Sequence, residues 1–122
     1  MGLVPVQAIR RLLHATGVPL DSIGLFEINE AFAVQVLACL KAMGGDTFGR
    51  RQLGLDGALG EIDPDTLNVN GGAIALGHPV GASGARLVLN LMHEMKRRDV
   101  EFGLAALCVG GGQGAAMLLQ RR

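Results

Sequence analysis

The run "EFGLAALCVGGGQGAAMLLQ", Glu101 to Gln120, decides how this chain is read. "EFGLAALCV" reads as a buried strand, "GGGQG" as a tight turn, and "AAMLLQ" as a second strand returning antiparallel to the first. Upstream, a helix is expected over roughly Gly81 to Arg98, with Leu87, Val88, Leu91, Met92 and Met95 on one face. Its end, Lys96-Arg97-Arg98, suits the negative pole of a helix dipole. Leu67 to Asn70 reads as a short strand.

Residues 44–66 are the least regular part, with mixed charge, several glycines and a turn at Asp63-Pro64. A short helix near Thr47 to Leu53 fits within them. Before them, Ala31 to Met43 is polar only at Gln35 and Lys41, which predicts an interior helix covered on most sides. Ile23 to Ile28 reads as a buried strand. The first helix starts at Pro5, runs through Val6, Ile9, Leu12 and Leu13 at helical spacing, and stops at Gly17 and Pro19. The order is α, β, α, loop, β, α, β, β, which implies an α/β domain with a mixed sheet layered with helices. No internal boundary or repeat divides residues 1–122. The strand that would naturally precede the first helix is missing, so the chain reads as a piece of a longer one.

Composition narrows the function. The chain has 122 residues, 49% hydrophobic and 18% charged, which fits one soluble globular domain. Eleven basic and eleven acidic residues cancel, leaving no net field for nucleic acid or an anionic membrane. Four Phe with no Trp or Tyr leave little for base stacking. Cys39 and Cys108 form no CxxC pair, so neither a zinc site nor a disulfide framework is expected; a reducing, cytoplasmic setting is. No run reaches membrane-span length, and the start lacks a signal-peptide layout.

Glycine, at 19 residues, is the outlier. In "GGAIALGHPVGASGA", Gly71 to Ala85, the spacing of Gly77, Gly81 and Gly84 is that of neither a dinucleotide fingerprint nor a phosphate loop. His78 and Pro79 give a better account. Pro79 fixes the start of a helix, and His78 lies at its positive pole, where a neutral ring is expected. Such a ring serves as a general base or as a donor to an oxyanion. Gly81, Ala82 and Gly84 keep the first turn free of bulk. A plain buried histidine satisfied by backbone is the alternative.

Two more blocks share this character. "CVGGGQG" sets Cys108 at a strand end before glycines whose N–H groups could line an oxyanion hole, or else is a hairpin with a structural cysteine. "NEAF" ends a strand with Asn29, able to donate and accept, or else a helix cap. Cys39 reads as core packing; His14 and His93 read as solvent-facing. An amide, an imidazole and a thiol at strand ends and a helix start suit acyl chemistry on a thioester.

"NEAF", "GGAIALGHPVGASGA" and "CVGGGQGAAM" resemble, in order, the three signature blocks of the C-terminal half of thiolases. The resemblance spans the chain; related condensing enzymes share the fold without this trio. It implies a thiolase-like fold of two similar halves, each a five-stranded mixed sheet with helices on both faces. The implied reaction is reversible exchange between a 3-ketoacyl-CoA plus CoA and two shorter acyl-CoAs, with coenzyme A as substrate and no tightly bound cofactor or metal. It also implies roles: His78 activates a nucleophilic cysteine and donates into an oxyanion hole. Asn29 holds the water completing that hole, Cys108 is the acid/base, and the N–H of Gly110 helps hold a tetrahedral oxyanion.

The family's nucleophilic cysteine belongs to the N-terminal half and is absent here; Cys39 is in the wrong block. "MGLVPVQAIR" resembles a thiolase interior, so Met1 reads as an internal methionine. Residues 44–66 look longer than in compact biosynthetic thiolases. The chain alone is therefore expected to be inactive, to need the N-terminal domain as partner, and to self-associate as a homo-oligomer through faces left open.

Overall fold

A computed structural model describes residues 2–122 of the chain; Met1, read above as an internal methionine, lies outside them. Three strands form one mixed sheet in the order β1-β2-β3: Leu25–Ile28, Phe102–Val109 and Gln113–Gln120. β1 runs parallel to β2 in the register Ile28 beside Ala106, and β2 runs antiparallel to β3, with Val109 opposite Gln113. The hairpin read at the outset is therefore formed. Gly111 and Gly112, at φ 75° and 80°, make its turn in a conformation open to glycine.

Helices cover both faces because the strands alternate with period two. Phe26, Ile28, Leu104 and Ala106 face one way, against Val6, Ile9 and Leu13 of α1 (Val4–Thr16) and Val36, Cys39 and Met43 of α2 (Ala33–Met43). Leu25 and Ala105 face the other way, against Leu87, Leu91 and Met95 of α5 (Val80–Arg98). Each of those three side chains contributes about 1.5–3 kcal/mol by its burial. α1 begins with proline in its first turn and ends at Gly17, whose φ of 71° closes the αL cap on the carbonyl of Leu13.

Between α2 and α5 the chain makes only short pieces: α3 (Asp46–Phe48), a π turn at Gly49–Leu53, a 3-10 turn at Pro64–Thr66, and α4 (Ala73–Leu76). The helix expected near Thr47–Leu53 is present as α3 and its π continuation.

Two expectations need correction. Leu67–Asn70 is not a strand: Leu67 alone makes a parallel bridge to Phe26, because Asn68 leaves the extended region at φ 48°. Three strands and one bridge thus stand where the resemblance implied five strands. The second concerns α2, which is not covered on most sides. Val34 is 73% exposed and Leu37 65%, because nothing among the described residues packs on that face, while the polar Gln35 is buried.

α5 approaches β2 closely at Gly103, where an added Cβ would lie 2.6 Å from Met95 Sδ and 2.9 Å from Leu91 Cγ. Gly103→Ala is expected to lower stability by about 1–3 kcal/mol through overpacking. Gly81, in the first turn of α5, faces open space, and Gly81→Ala is expected to raise stability by about 0.5–1 kcal/mol. Urea unfolding midpoints of the two variants, moving in opposite directions, check both.

Candidate active site

The carboxyl ends of β1 and β2 lie side by side, and the three motif blocks meet there. Asn29 follows β1, its N–H donating to the carbonyl of Ala106 at 2.9 Å. It is 2% exposed, and neither its Oδ1 nor its Nδ2 has a hydrogen-bond partner among the described residues. The N-terminal residue of α2 is capped by no side chain, so the helix-cap reading of Asn29 is excluded. An unpartnered buried amide costs about 1–3 kcal/mol.

Cys108 sits near the end of β2, half-buried, with Gly110 exposed just beyond it in the turn. Alternation along β2 places Cys108 on the α1–α2 face, the same face as Cys39. Cys39 is fully buried. Its thiol is pushed above the usual range by burial first, although Gln35, donating to its Sγ at 3.4 Å, acts the other way. Cys39 is core, as its position predicts.

His78 precedes Pro79 at the start of α5, and its ring is exposed rather than buried and satisfied by backbone. Its Nδ1 lies 2.6 Å from the hydroxyl of Ser83, which is itself fully buried and donates to the carbonyl of Pro79 at 3.2 Å. Arg86 Nη1 donates to the carbonyl of Gly77, at 2.9 Å, immediately before the ring. Gly77 has φ 87°, and Cβ atoms at Gly81 and Gly84 would meet nothing within 4 Å, so the space before α5 is open.

Hydrogen bonds that span 38 to 44 residues fasten the end of β1 and the first block to the loop that leads into the second. The Asn68 side chain brackets the main chain of Ile28: Oδ1 accepts from Ile28 N and Nδ2 donates to Ile28 O, both at 2.9 Å. Glu30 accepts from Asn68 Nδ2 at 3.2 Å and from the N–H of Ile74 at 3.0 Å. Gly72 must lack a side chain, since its Cβ would lie 2.4 Å from the Glu30 carboxyl carbon. Asn70 donates to Glu94, at 3.0 Å, fixing the same loop to α5. Arg97, then Asn70, then Arg98 hold the Glu94 carboxyl down to about 2 by hydrogen bonding.

Asn29 and Cys108 thus lie at the carboxyl ends of the adjacent strands β1 and β2, and His78 at the start of α5; no hydrogen bond joins the three side chains among the described residues. The apolar cleft between α5 and β3, about 580 Å³ and bordered by Leu87, Leu107 and Met117, is lined by none of them. The motif reading singled out Asn29, His78 and Cys108 but gave no part to Ser83, Glu30, Asn68 or Arg86, which the hydrogen bonds above involve. Only Ser83 carried a local signal: a hydroxyl one turn into a helix reaches the carbonyl four residues back.

The family profile described as "Thiolase, C-terminal domain" matches residues 1–121. A 3-ketoacyl-CoA thiolase of Yersinia enterocolitica is 50% identical over 99% of this chain and 28% of its own length. An acetyl-CoA acetyltransferase of Escherichia coli is 48% identical over 99% of this chain and 26% of its own length. The crystal structure of the Bacillus anthracis acetyl-CoA acetyltransferase superposes with a TM-score of 0.80 at 41% identity, over 98% of this chain and 26% of that one. The chain therefore spans about a quarter of the length of these relatives.

Glu27 lies in β1 two residues before Asn29 and is 2% exposed. Burial raises its carboxyl from 4.5 to about 7; Arg86 pulls it down, while Glu30 and Glu94 push it further up. Folding therefore takes up a proton between those two values, so the stability Glu27 contributes is fullest below pH 4.5 and falls as pH rises to 7. The whole shift corresponds to roughly 3 kcal/mol. Glu27→Gln is expected to flatten stability across this window and to exceed the wild type at about pH 8. Denaturant titrations at several pH values check the sign; Glu94, whose carboxyl is depressed, acts only on the acid side of 4.5.

Proposed function

The chain belongs to the thiolase family through its C-terminal domain, and on that premise we propose that it supplies the acid/base half of a thiolase. The proposed whole reaction is reversible thiolysis of a 3-ketoacyl-CoA by CoA, which in reverse condenses two acyl-CoAs. The names of these relatives, 3-ketoacyl-CoA thiolase and acetyl-CoA acetyltransferase, support this substrate class. Coenzyme A and its thioesters enter as substrates.

The observation that carries the reading is the Asn29 amide, buried and unpartnered at the end of β1. A polar group kept dry without a partner is matched to something that arrives, here a water or an oxygen bearing charge. Loss of a proton from carbon beside a thioester leaves an enolate, and donors aimed at its oxygen lower that barrier by several kcal/mol. In this reading Asn29 holds the water that, with His78, donates to the enolate oxygen. The Gly110 N–H, in an exposed turn, donates to the oxyanion of the tetrahedral intermediate.

His78 first takes the proton of a cysteine nucleophile supplied by the N-terminal domain. The thiolate attacks the keto carbon of the substrate, and the carbon–carbon bond breaks to give an acyl-enzyme and an enolate. Cys108 gives the enolate carbon its proton, leaving acetyl-CoA, and then takes the thiol proton of incoming CoA. The CoA thiolate attacks the acyl-enzyme and expels the cysteine. A thiol suits exchange with a thiol because the two acidities match. The exposed apolar side chains Val34, Leu37 and Val80 border this end of the fold, supporting an N-terminal domain and a second copy as the partners that cover it.

The test is a hybrid in which this chain replaces the matching quarter of the Bacillus anthracis enzyme. The hybrid is expected to cleave a 3-ketoacyl-CoA, and His78→Ala or Cys108→Ala to lower kcat by about 100-fold or more. The 122-residue chain alone is expected to show no turnover, lacking the covalent nucleophile. Thiolysis by that chain, or a folded hybrid indifferent to His78→Ala, would overturn the assignment.

A further inference from the structure

We propose that Ser83 is a positioning residue that fixes the proton of neutral His78 on Nδ1 and so leaves Nε2 as the working nitrogen. The argument is a count of protons around one buried oxygen. Ser83 Oγ lies 2.6 Å from His78 Nδ1 and 3.2 Å from the carbonyl of Pro79, and Ser83 has no solvent exposure. A hydroxyl has one proton to give, and a carbonyl can only accept.

If the hydroxyl donated to Nδ1, its oxygen would face the Pro79 carbonyl with no proton between them, two partial negative charges in a dry site. If the hydroxyl donates to the carbonyl, its lone pair accepts the Nδ1 proton, and both short contacts become hydrogen bonds. Only the second arrangement places a proton in each of the two short contacts. The Pro79 carbonyl also accepts the N–H groups of Ala82 and Ser83, at 2.8 and 2.9 Å, so the first turn of α5 holds this acceptor in place. Arg86 secures the residue before the ring through the Gly77 carbonyl. His78 is thus oriented from its backbone and from one ring nitrogen, while the ring stays exposed.

A consequence follows for the role proposed above, on which the functional part of this inference rests. An imidazolium carries protons on both nitrogens, so it too donates from Nδ1 to Ser83. The hydroxyl does not turn when the ring gains a proton at Nε2. One nitrogen can therefore act first as base and then as donor to an oxygen, with no reorganisation on the buried side. Ser83 touches no reacting atom; it acts through the ring.

The tautomer is measurable without turnover. Nitrogen-15 spectra of the imidazoles in the 122-residue chain, at about pH 8.5 where an ordinary ring is neutral, separate protonated from bare ring nitrogens. His14 and His93, both exposed, serve as internal references, and His78→Gln identifies the third signal. The expected result is His78 with its proton mainly on Nδ1. Ser83→Ala should shift that ratio about fivefold toward the tautomer of the two references, the ratio set by one ordinary hydrogen bond. A wild-type His78 with the references' tautomer overturns the proposal, and that measurement needs no variant to fold. So does a folded Ser83→Ala chain in which the His78 ratio is unchanged. In the hybrid enzyme, Ser83→Ala should lower kcat about tenfold with little change in KM. A folded hybrid that is inactive while its His78 keeps the Nδ1 proton would defeat the acyl-transfer reading and leave the tautomer assignment standing.

Discussion

Two hydrogen bonds from one amide, Asn68 to the main chain of Ile28, hold this arrangement together. β1 is only four residues long and, beyond the single bridge at Leu67, lies at the edge of the sheet. The Asn68 side chain takes the place that a further residue of neighbouring strand would occupy. Its backbone must turn to φ 48° to do so, a conformation that asparagine tolerates better than other non-glycine residues. Glu30 then carries the connection onward to the start of α4, and α4 leads directly to His78. The end of β1 is thereby fixed on one side by β2 and on the other by this clamp, and Asn29 is placed by both.

Electrostatics around the clamp are divided by how each carboxylate is met. Glu94 faces Arg97, Asn70 and Arg98 and is held ionised. Glu27, two residues before Asn29, finds no hydrogen-bond partner for its Oε2 among the described residues, and burial favours its proton. Two glutamates are thus pushed in opposite directions, Glu94 down by the donors that meet it and Glu27 up chiefly by burial.

Much of this was legible in the residues. The hairpin was readable because consecutive glycines between apolar runs permit little else, and α1 and α5 because their apolar spacing is regular. Asn29, His78 and Cys108 stood out because each is a reactive group set among small residues. What could not be read depended on neighbours distant in the chain. α2 looked interior because its composition is apolar, but composition does not say whether a neighbour covers each face; Val34 and Leu37 are bare. Leu67–Asn70 looked like a strand, and only the reach of the Asn68 side chain to Ile28 turns it aside. Glu30 sits inside the quoted "NEAF" block, yet its task depends on Gly72 and Ile74, more than forty positions away.

That distance has a consequence in polymer terms. The clamp closes the chain from Ile28 to Asn68, a span that contains the excursion through residues 44–66. Within that excursion Leu53 and Ile62 are buried in the core, while the exposed stretches around them enter the free energy mainly through the entropy of closing a loop. Doubling such a loop costs about 0.6 kcal/mol, less than one of the hydrogen bonds that close it contributes on average. The exposed stretches of the excursion, away from Leu53 and Ile62, can therefore lengthen or shorten while the clamp keeps its place. The fold separates exposed stretches that tolerate changes of length from the two points, Ile28 and Asn68, that anchor them beside the motif blocks.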